Sequence, residues 1–244
     1  MARRYLRMGD VRLVREAHRE RRTLMRFVAP HLVRRLPFLL PLYEGGPYRP
    51  WLVQSGILLY SALARSRLNW LVAPDRAREL APGLRLDRLR SCALYADAWT
   101  NDARLTLANV RAAADAGAVV LNGAEVVSLR FSSGRVAGAE VRADGEVVAV
   151  EARAVVNAAG PWIDRVRRLE SPRAGTSVRL SKGVHALVPA EGEWQAALAV
   201  LQDHVRVTFA IPWYGMLLLG TTDALHEGDP DDVRAEPADV EQIL

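Results

Sequence analysis

Three observations predict a mixed α/β fold. A capped helical stretch after Thr100-Asn101-Asp102 runs into a short apolar strand, and two tight turns between alternating segments then make a β-meander. A further apolar run, Ala154-Val-Val-Asn157, closes on the turn Ala158-Ala-Gly160-Pro161-Trp162. Residues 179–223 hold β-branched, apolar runs with polar groups at their ends or at single interior positions, the pattern of a sheet region. Helix, strand, meander, strand and glycine turn, in that order, suggest part of a nucleotide-binding α/β domain.

The elements follow in order. Asp10 is a plausible N-cap for a helix with Leu13, Val14, Ala17, Leu24, Met25 and Val28 on one side. Arg12, Arg15, Arg19, Arg22 and Arg26 occupy the other side, and Ala29-Pro30 ends it. Such a stripe reads either as core-facing or as an interfacial helix, basic on one side and apolar on the other. Residues 36–66 are rich in Pro, Gly and aromatics and lead to a helix expected at Trp51–Ala64. Residues 74–90 read as a charged helix and turn, with Pro82-Gly83 as punctuation. The helix after Asp102 should run to about Ala116, with Gly117 as its C-cap. A strand is expected at Val119–Leu121, the meander at 125–131, 135–142 and 146–150, and a last strand at 154–157.

Composition narrows the class. Half of the 244 residues are apolar and a quarter are charged, which is ordinary globular usage. The single cysteine, Cys92, excludes an internal disulfide framework and a cysteine zinc cluster, and no metal site is expected. Residues 1–90 carry 19 Arg and no Lys against 7 acidic groups, a net of +12, whereas the remainder is −7. A basic front half suits anionic lipid, nucleic acid or a phosphorylated substrate. Nucleic acid is the poorest of these, because no recognition helix or stacking platform is apparent. Met1-Ala-Arg-Arg leads straight into a charged helix, so no secretory signal is expected. The longest apolar stretch, 51–64, is too short for a bilayer span of about 20 residues.

Two polar features stand out in the apolar runs. His185 sits in a stretch of Val, Leu and Ala, and Gly220-Thr-Thr-Asp223 ends another run abruptly. Buried polar groups without partners cost about 1–3 kcal/mol each. Either these residues meet a ligand, or His185 is a satisfied core histidine and Gly220–Asp223 an ordinary turn.

Four blocks then occur in one order: Tyr95-Ala-Asp-Ala-Trp99-Thr-Asn-Asp102-Ala-Arg104 to Asn109, Val155-Val-Asn-Ala-Ala-Gly160-Pro-Trp162, Arg179-Leu-Ser-Lys-Gly-Val-His185, and Ile211-Pro-Trp213 through Gly220-Thr-Thr-Asp223. With Arg4-Tyr5-Leu6 and Ala29-Pro-His31-Leu32, that order resembles the FAD-dependent glycerol-3-phosphate dehydrogenases, which oxidise glycerol 3-phosphate and reduce membrane quinone. The resemblance spans nearly the whole chain. It implies a partial FAD-binding nucleotide domain with a β-meander at about 95–165, and an antiparallel-sheet substrate or cap region at about 30–90 with 175–225. The family's Gly-x-Gly-x-x-Gly turn, which meets the FAD pyrophosphate, occurs nowhere in the 244 residues. The chain is therefore expected to be an internal piece of a longer enzyme, through a truncated gene or an incomplete sequence.

By the same resemblance Arg4 and His185 would face the substrate as catalytic residues, with Tyr5 and Thr222 beside them. Arg4 would grip the phosphate through its planar fork, and His185 would take the hydroxyl proton. Lys182, the only lysine, would either help anchor the phosphate or cap its strand. Val126, Ala159, Gly160 and Trp162 would lie near FAD, although core packing is an equal account of Trp162. A cytoplasmic enzyme, peripheral on the inner face of the cytoplasmic membrane, is implied, and a homodimer is left open. Two alternatives stand beside this reading: a flavin enzyme acting on another hydroxy or amino acid, and a fragment without catalysis of its own.

Overall fold

The computed structural model describes residues 11–46, 51, 53, 55, 70–201 and 207–244. In chain order the elements are α1 (Val11–Thr23), β1 (Val33–Tyr43), β2 (Trp70–Val72), α2 (Pro74–Leu80), β3 (Leu89–Thr100) and α3 (Asp102–Asp115). The meander follows as β4 (Glu125–Ser132), β5 (Arg135–Ala143) and β6 (Glu146–Glu151), then α4 (Ile163–Glu170) and β7 (Leu180–Lys182). The chain continues through β8 (His185–Pro189), β9 (Ala197–Leu201), β10 (Val207–Trp213), β11 (Met216–Gly220), β12 (Ala224–His226) and α5 (Pro237–Ile243). They form two compact units. The first comprises Met1–Asn109, Val184–Thr222 and Pro237–Leu244, and the second Val110–Gly183 and Asp223–Glu236. The architecture is thus α/β, with one mixed sheet and two antiparallel ones.

The first unit is built on a seven-stranded sheet in the order β2-β3-β1-β9-β10-β11-β8. Every adjacent pair is antiparallel except β1 with β9. Strand alternation sends Leu39 to one face, where Val72, Ala77, Leu80, Leu84, Cys92 and Leu198 pack with it beneath α2. Phe38, Leu40 and Leu42 go to the other face with Val53, Ala93, Ala197 and Ala199. Cys92 is fully buried, and burial pushes its thiol up to about 12, which leaves it a neutral core residue.

The N-terminal helix is half anchored. α1 passes into a π-helical turn, Leu24–Val28, closed where the Ala29 N–H donates to the Leu24 carbonyl at 2.9 Å. Leu24 and Met25 pack against Ala29, Leu32 and Val33. Leu13, Ala17, Phe27 and Val28 are exposed, as are the five arginines of the basic side. The expected apolar stripe is therefore only partly used by the core. Arg21 pairs with Asp97 of β3 at 2.7 Å, and His18 is buried beside it, with its pKa lowered by desolvation and then by Arg21. The helix expected at 51–64 lies mostly outside the described residues; Trp51, Val53 and Ser55 are helical.

Local signals set α3 and the meander. Asn101 Oδ1 accepts the Arg104 N–H at 3.1 Å, capping α3. At the other end Gly117 has φ +93°, and the Gly117 and Ala118 N–H groups donate to the carbonyls of Ala114 and Ala113. The meander turns Ser133-Gly134 and Asp144-Gly145 have positive φ at both residues, the geometry that matches strand twist.

The strands expected at 119–121 and 154–157 are not formed. Neither segment enters a ladder, and their valines lie largely in solvent. A strand is defined by its neighbours, and the described residues offer these two runs none.

In the second unit one buried carboxylate organises the chain after α4. Asp164 accepts the Ser177 hydroxyl at 2.6 Å and its N–H at 2.9 Å, and pairs with Arg167 at 2.8 Å. These donors, the Ser177 hydroxyl foremost, hold its carboxyl far below the usual carboxylate range. Asp164→Asn should lower the melting temperature by several degrees at pH 7. A carboxylate whose folded pKa is depressed contributes fully above its unfolded value, near about 4, and loses that contribution as pH falls through the folded one. The gap between variant and wild type should therefore persist from pH 7 to 5 and close only below pH ~4. Thermal melts at neutral and acid pH test this; an unchanged gap well below the carboxylate range would mean that charge is not its source.

Candidate functional site

In the first unit the polar groups around His185 come together at one end of the β8–β11 ladder. Gly220 is the register partner of His185. Just beyond it, Thr222 is 1% exposed; its N–H donates to the Val184 carbonyl at 3.2 Å, and its Oγ1 accepts the Val184 N–H at 2.9 Å. Thr222 thus clamps the start of β8 and satisfies the backbone there. The His185 side chain is exposed and has no hydrogen-bond partner among the described residues. It is therefore no core histidine, and a rigid ladder carries an imidazole with both nitrogens available. Arg4 and Tyr5 lie outside the described residues.

An aromatic group stands in the same unit. Trp99 of β3 meets Trp213 and Tyr214 at ring distances of 5.3 and 5.9 Å, and Asn101 Nδ2 donates to the Tyr214 hydroxyl at 3.3 Å. This fixes the β10–β11 hairpin tip, where Tyr214 and Gly215 have positive φ. Nothing in the spacing of Trp99 and Trp213 along the chain announces their contact.

The remaining candidates belong to the second unit. Lys182 on β7 donates to the Arg234 carbonyl at 3.3 Å and pairs with Glu236 at 3.5 Å, leaving its side chain only 10% exposed. An anion there would have to displace Glu236. β7 is further held to β12 by its ladder and by the Ser181 hydroxyl donating to Asp223. Val126 is exposed on β4. The turn after 154–157 is shaped by Asn157, whose Oδ1 accepts the Ala159 N–H at 3.2 Å and whose Nδ2 donates to the Ile163 carbonyl at 3.0 Å. Gly160 has φ +53°, and a Cβ there would meet no atom within 4 Å, so its backbone faces open space. Trp162 is partly exposed, and its indole N–H donates to Asp231 at 2.8 Å. Asp231 and Asp229 also pair with Arg165. The sequence carries no periodic signal for that cluster, because its members lie on separate segments.

Val126, Ala159 and Gly160 are thus accessible in one unit and His185 in the other. Among the described residues no helix is long and apolar enough to cross a membrane.

Known proteins resemble this chain over nearly its whole length. A glycerol-3-phosphate dehydrogenase of Mycobacterium leprae is 38% identical over 246 residues, covering 99% of this chain and 42% of that protein. A D-erythritol 1-phosphate dehydrogenase of Brucella abortus is 37% identical and covers 99% of the chain and 48% of the relative. Among solved structures, the glycerol-3-phosphate dehydrogenase from Bacillus halodurans complexed with FAD aligns with a TM-score of 0.74 at 28% identity, over 93% of this chain and 42% of that one. The chain thus spans less than half the length of these relatives. The family model described as FAD dependent oxidoreductase matches residues 2–244, and the chain belongs to that family.

Proposed function

We propose that these residues form part of an FAD-dependent dehydrogenase that oxidises glycerol 3-phosphate to dihydroxyacetone phosphate and passes the electrons to quinone. The exposed imidazole of His185, fixed at the β8–β11 ladder by Thr222, carries the reading. An imidazole nitrogen can accept a proton and suits the proton step. In that role a His185 ring nitrogen takes the proton of the C2 hydroxyl as the hydride leaves C2. Bound FAD would supply the two-electron acceptor. Arg4, with Tyr5 beside it, is assigned to the phosphate dianion, for which a guanidinium fork is the natural partner. Thr222 is assigned to positioning through Val184, and Lys182 stays secondary because Glu236 already occupies it.

The accessible residues fit an FAD contact. The open backbone at Ala159-Gly160 admits close approach, exposed Val126 offers an apolar wall, and Trp162 borders the same turn. These residues would hold one side of the cofactor. The exposed arginines of α1, next to exposed Phe27 and Val28, suit a salt-sensitive contact with the inner face of the cytoplasmic membrane. A second substrate is worth carrying because the D-erythritol 1-phosphate dehydrogenase is almost as similar. Both substrates are phosphorylated polyols.

The test joins this chain to the unmatched portions of the M. leprae relative. Flavin absorbance reports loading, and a dye acceptor is offered with glycerol 3-phosphate, D-erythritol 1-phosphate, glycerol, a hydroxy acid and an amino acid. Turnover confined to the phosphorylated polyols is expected, with the joined protein binding anionic vesicles at low salt and leaving them at high salt. A flavin-loaded protein that oxidises only the unphosphorylated compounds would refute the substrate, and salt-resistant attachment would refute the electrostatic contact.

A further inference from the structure

The second unit holds a cavity of about 590 Å³ lined by α4, the segment leading into β7, and the chain from β12 onward. That volume suits a small organic molecule. Arg165 and Arg168 stand three residues apart on α4 and so share a side of it, and Arg179 lines the cavity from the position before β7. The charges sort by whether they are already paired. Asp164 is held by Ser177 and Arg167, and Arg165 by Asp229 and Asp231. The rim carrying those two aspartates is fixed, because the Asp231 N–H donates to Asp229 Oδ1 at 2.9 Å and the His226 Nε2–H to the Asp229 carbonyl at 3.0 Å. Arg168 and Arg179 are exposed, and neither guanidinium has an ion pair or hydrogen bond among the described residues. Of the carboxylates lining the cavity, Glu227 is the one in the same condition. Summed over all these side chains the charge cancels, so what marks the site is free donors and not a net field.

We infer that this cavity is a binding site for a phosphate group carried on a small organic body, with Arg168 and Arg179 as the residues that hold it. Each guanidinium presents a planar fork of N–H donors, and bonds of that kind to an anion are roughly twice as strong as neutral ones. One fork satisfies both oxygens of a carboxylate, whereas a phosphate monoester has three terminal oxygens and can use two forks at once. Two free forks on one cavity therefore select phosphate over carboxylate. The wall beside them is apolar: Leu225 of β12 is 55% exposed, and Val178 and Leu180 line the same space. That surface suits the organic part of an ester. Glu227 opposes the anion, so removing its charge should tighten binding. A soluble ester and a phospholipid headgroup carry the same group and are separated by experiment. Neither arginine is assigned to the polyol phosphate or to the flavin, and binding is read without turnover, so this site stands or falls apart from the proposed activity.

Titration calorimetry of the 244-residue chain with phenyl phosphate is the test. Saturable binding is expected, with inorganic phosphate weaker and phenol inert. Arg168→Gln and Arg179→Gln should each weaken phenyl phosphate by about tenfold or more, the weight of a hydrogen bond to a charged group. Glu227→Gln should tighten it by about threefold, the size of an exposed charge interaction, and a gain in affinity cannot come from misfolding. Phosphatidylcholine vesicles doped with phosphatidic acid separate the two sources. Cosedimentation that is lost in Arg168→Gln assigns the lipid headgroup, and cosedimentation unchanged in that variant assigns a soluble ester. The inference is overturned by the absence of saturable phenyl phosphate binding, by benzoate binding as tightly, or by affinity unchanged when both arginines are replaced. Weaker binding in Glu227→Gln would overturn it too.

Discussion

Replacing His185 by alanine in the joined, flavin-loaded enzyme is expected to lower kcat by about a hundredfold or more, the usual contribution of a positioned general base. KM should change far less. His185 is assigned to the proton on the reacting hydroxyl, an interaction that grows in the transition state, whereas the phosphate supplies binding in both states. The position argues for catalysis over support. The imidazole is exposed and has no hydrogen-bond partner among the described residues, so its removal orphans no buried group. A stability change within about 0.5 kcal/mol is therefore expected, as for other surface sites. Wild-type turnover in the loaded variant would remove His185 from the mechanism.

Legibility in the sequence followed the range of the forces involved. α3 was readable because Asn101 and Gly117 act on backbone groups three to five residues away, and the meander because each turn needs only two residues with positive φ. β1 was not. Pro37 and Pro41 give its sequence the look of a loop, yet β1 pairs with β3 along its length, Pro37 opposite Ala96 and Pro41 opposite Cys92. β3 was hidden likewise, because its pairing with β1 spans dozens of residues of separation. The runs at 119–121 and 154–157 failed the other way. Their composition is that of strands, but composition cannot supply the neighbour that makes one. In the site, the blocks carrying His185 and Thr222 were visible as polar interruptions in apolar runs, while the Asp164–Ser177 and Trp162–Asp231 contacts depend on tertiary approach alone.

Gly220→Ala is expected to cost about 2–5 kcal/mol of folding stability, combining overpacking with backbone strain. Gly220 has φ +137°, which L side chains rarely adopt, and a Cβ there would lie 2.8 Å from the Val184 carbonyl oxygen and 3.0 Å from His185 Cδ2. The first obstacle is backbone and cannot rotate aside. Relief would require β8 to move off β11, and that motion pulls Val184 from both of its hydrogen bonds to Thr222. The clash, the clamp and the His185 imidazole are therefore one mechanical unit, so a single methyl group should disturb stability and the placement of His185 together. Gly134→Ala separates the contributions. Its φ is also positive, +74°, but a Cβ there meets nothing within 4 Å, so it should cost only about 1 kcal/mol of conformational strain. Denaturant titration of both variants measures the difference. If Gly220→Ala unfolds no more readily than Gly134→Ala, the close approach of β11 to β8 is not what holds His185 in place.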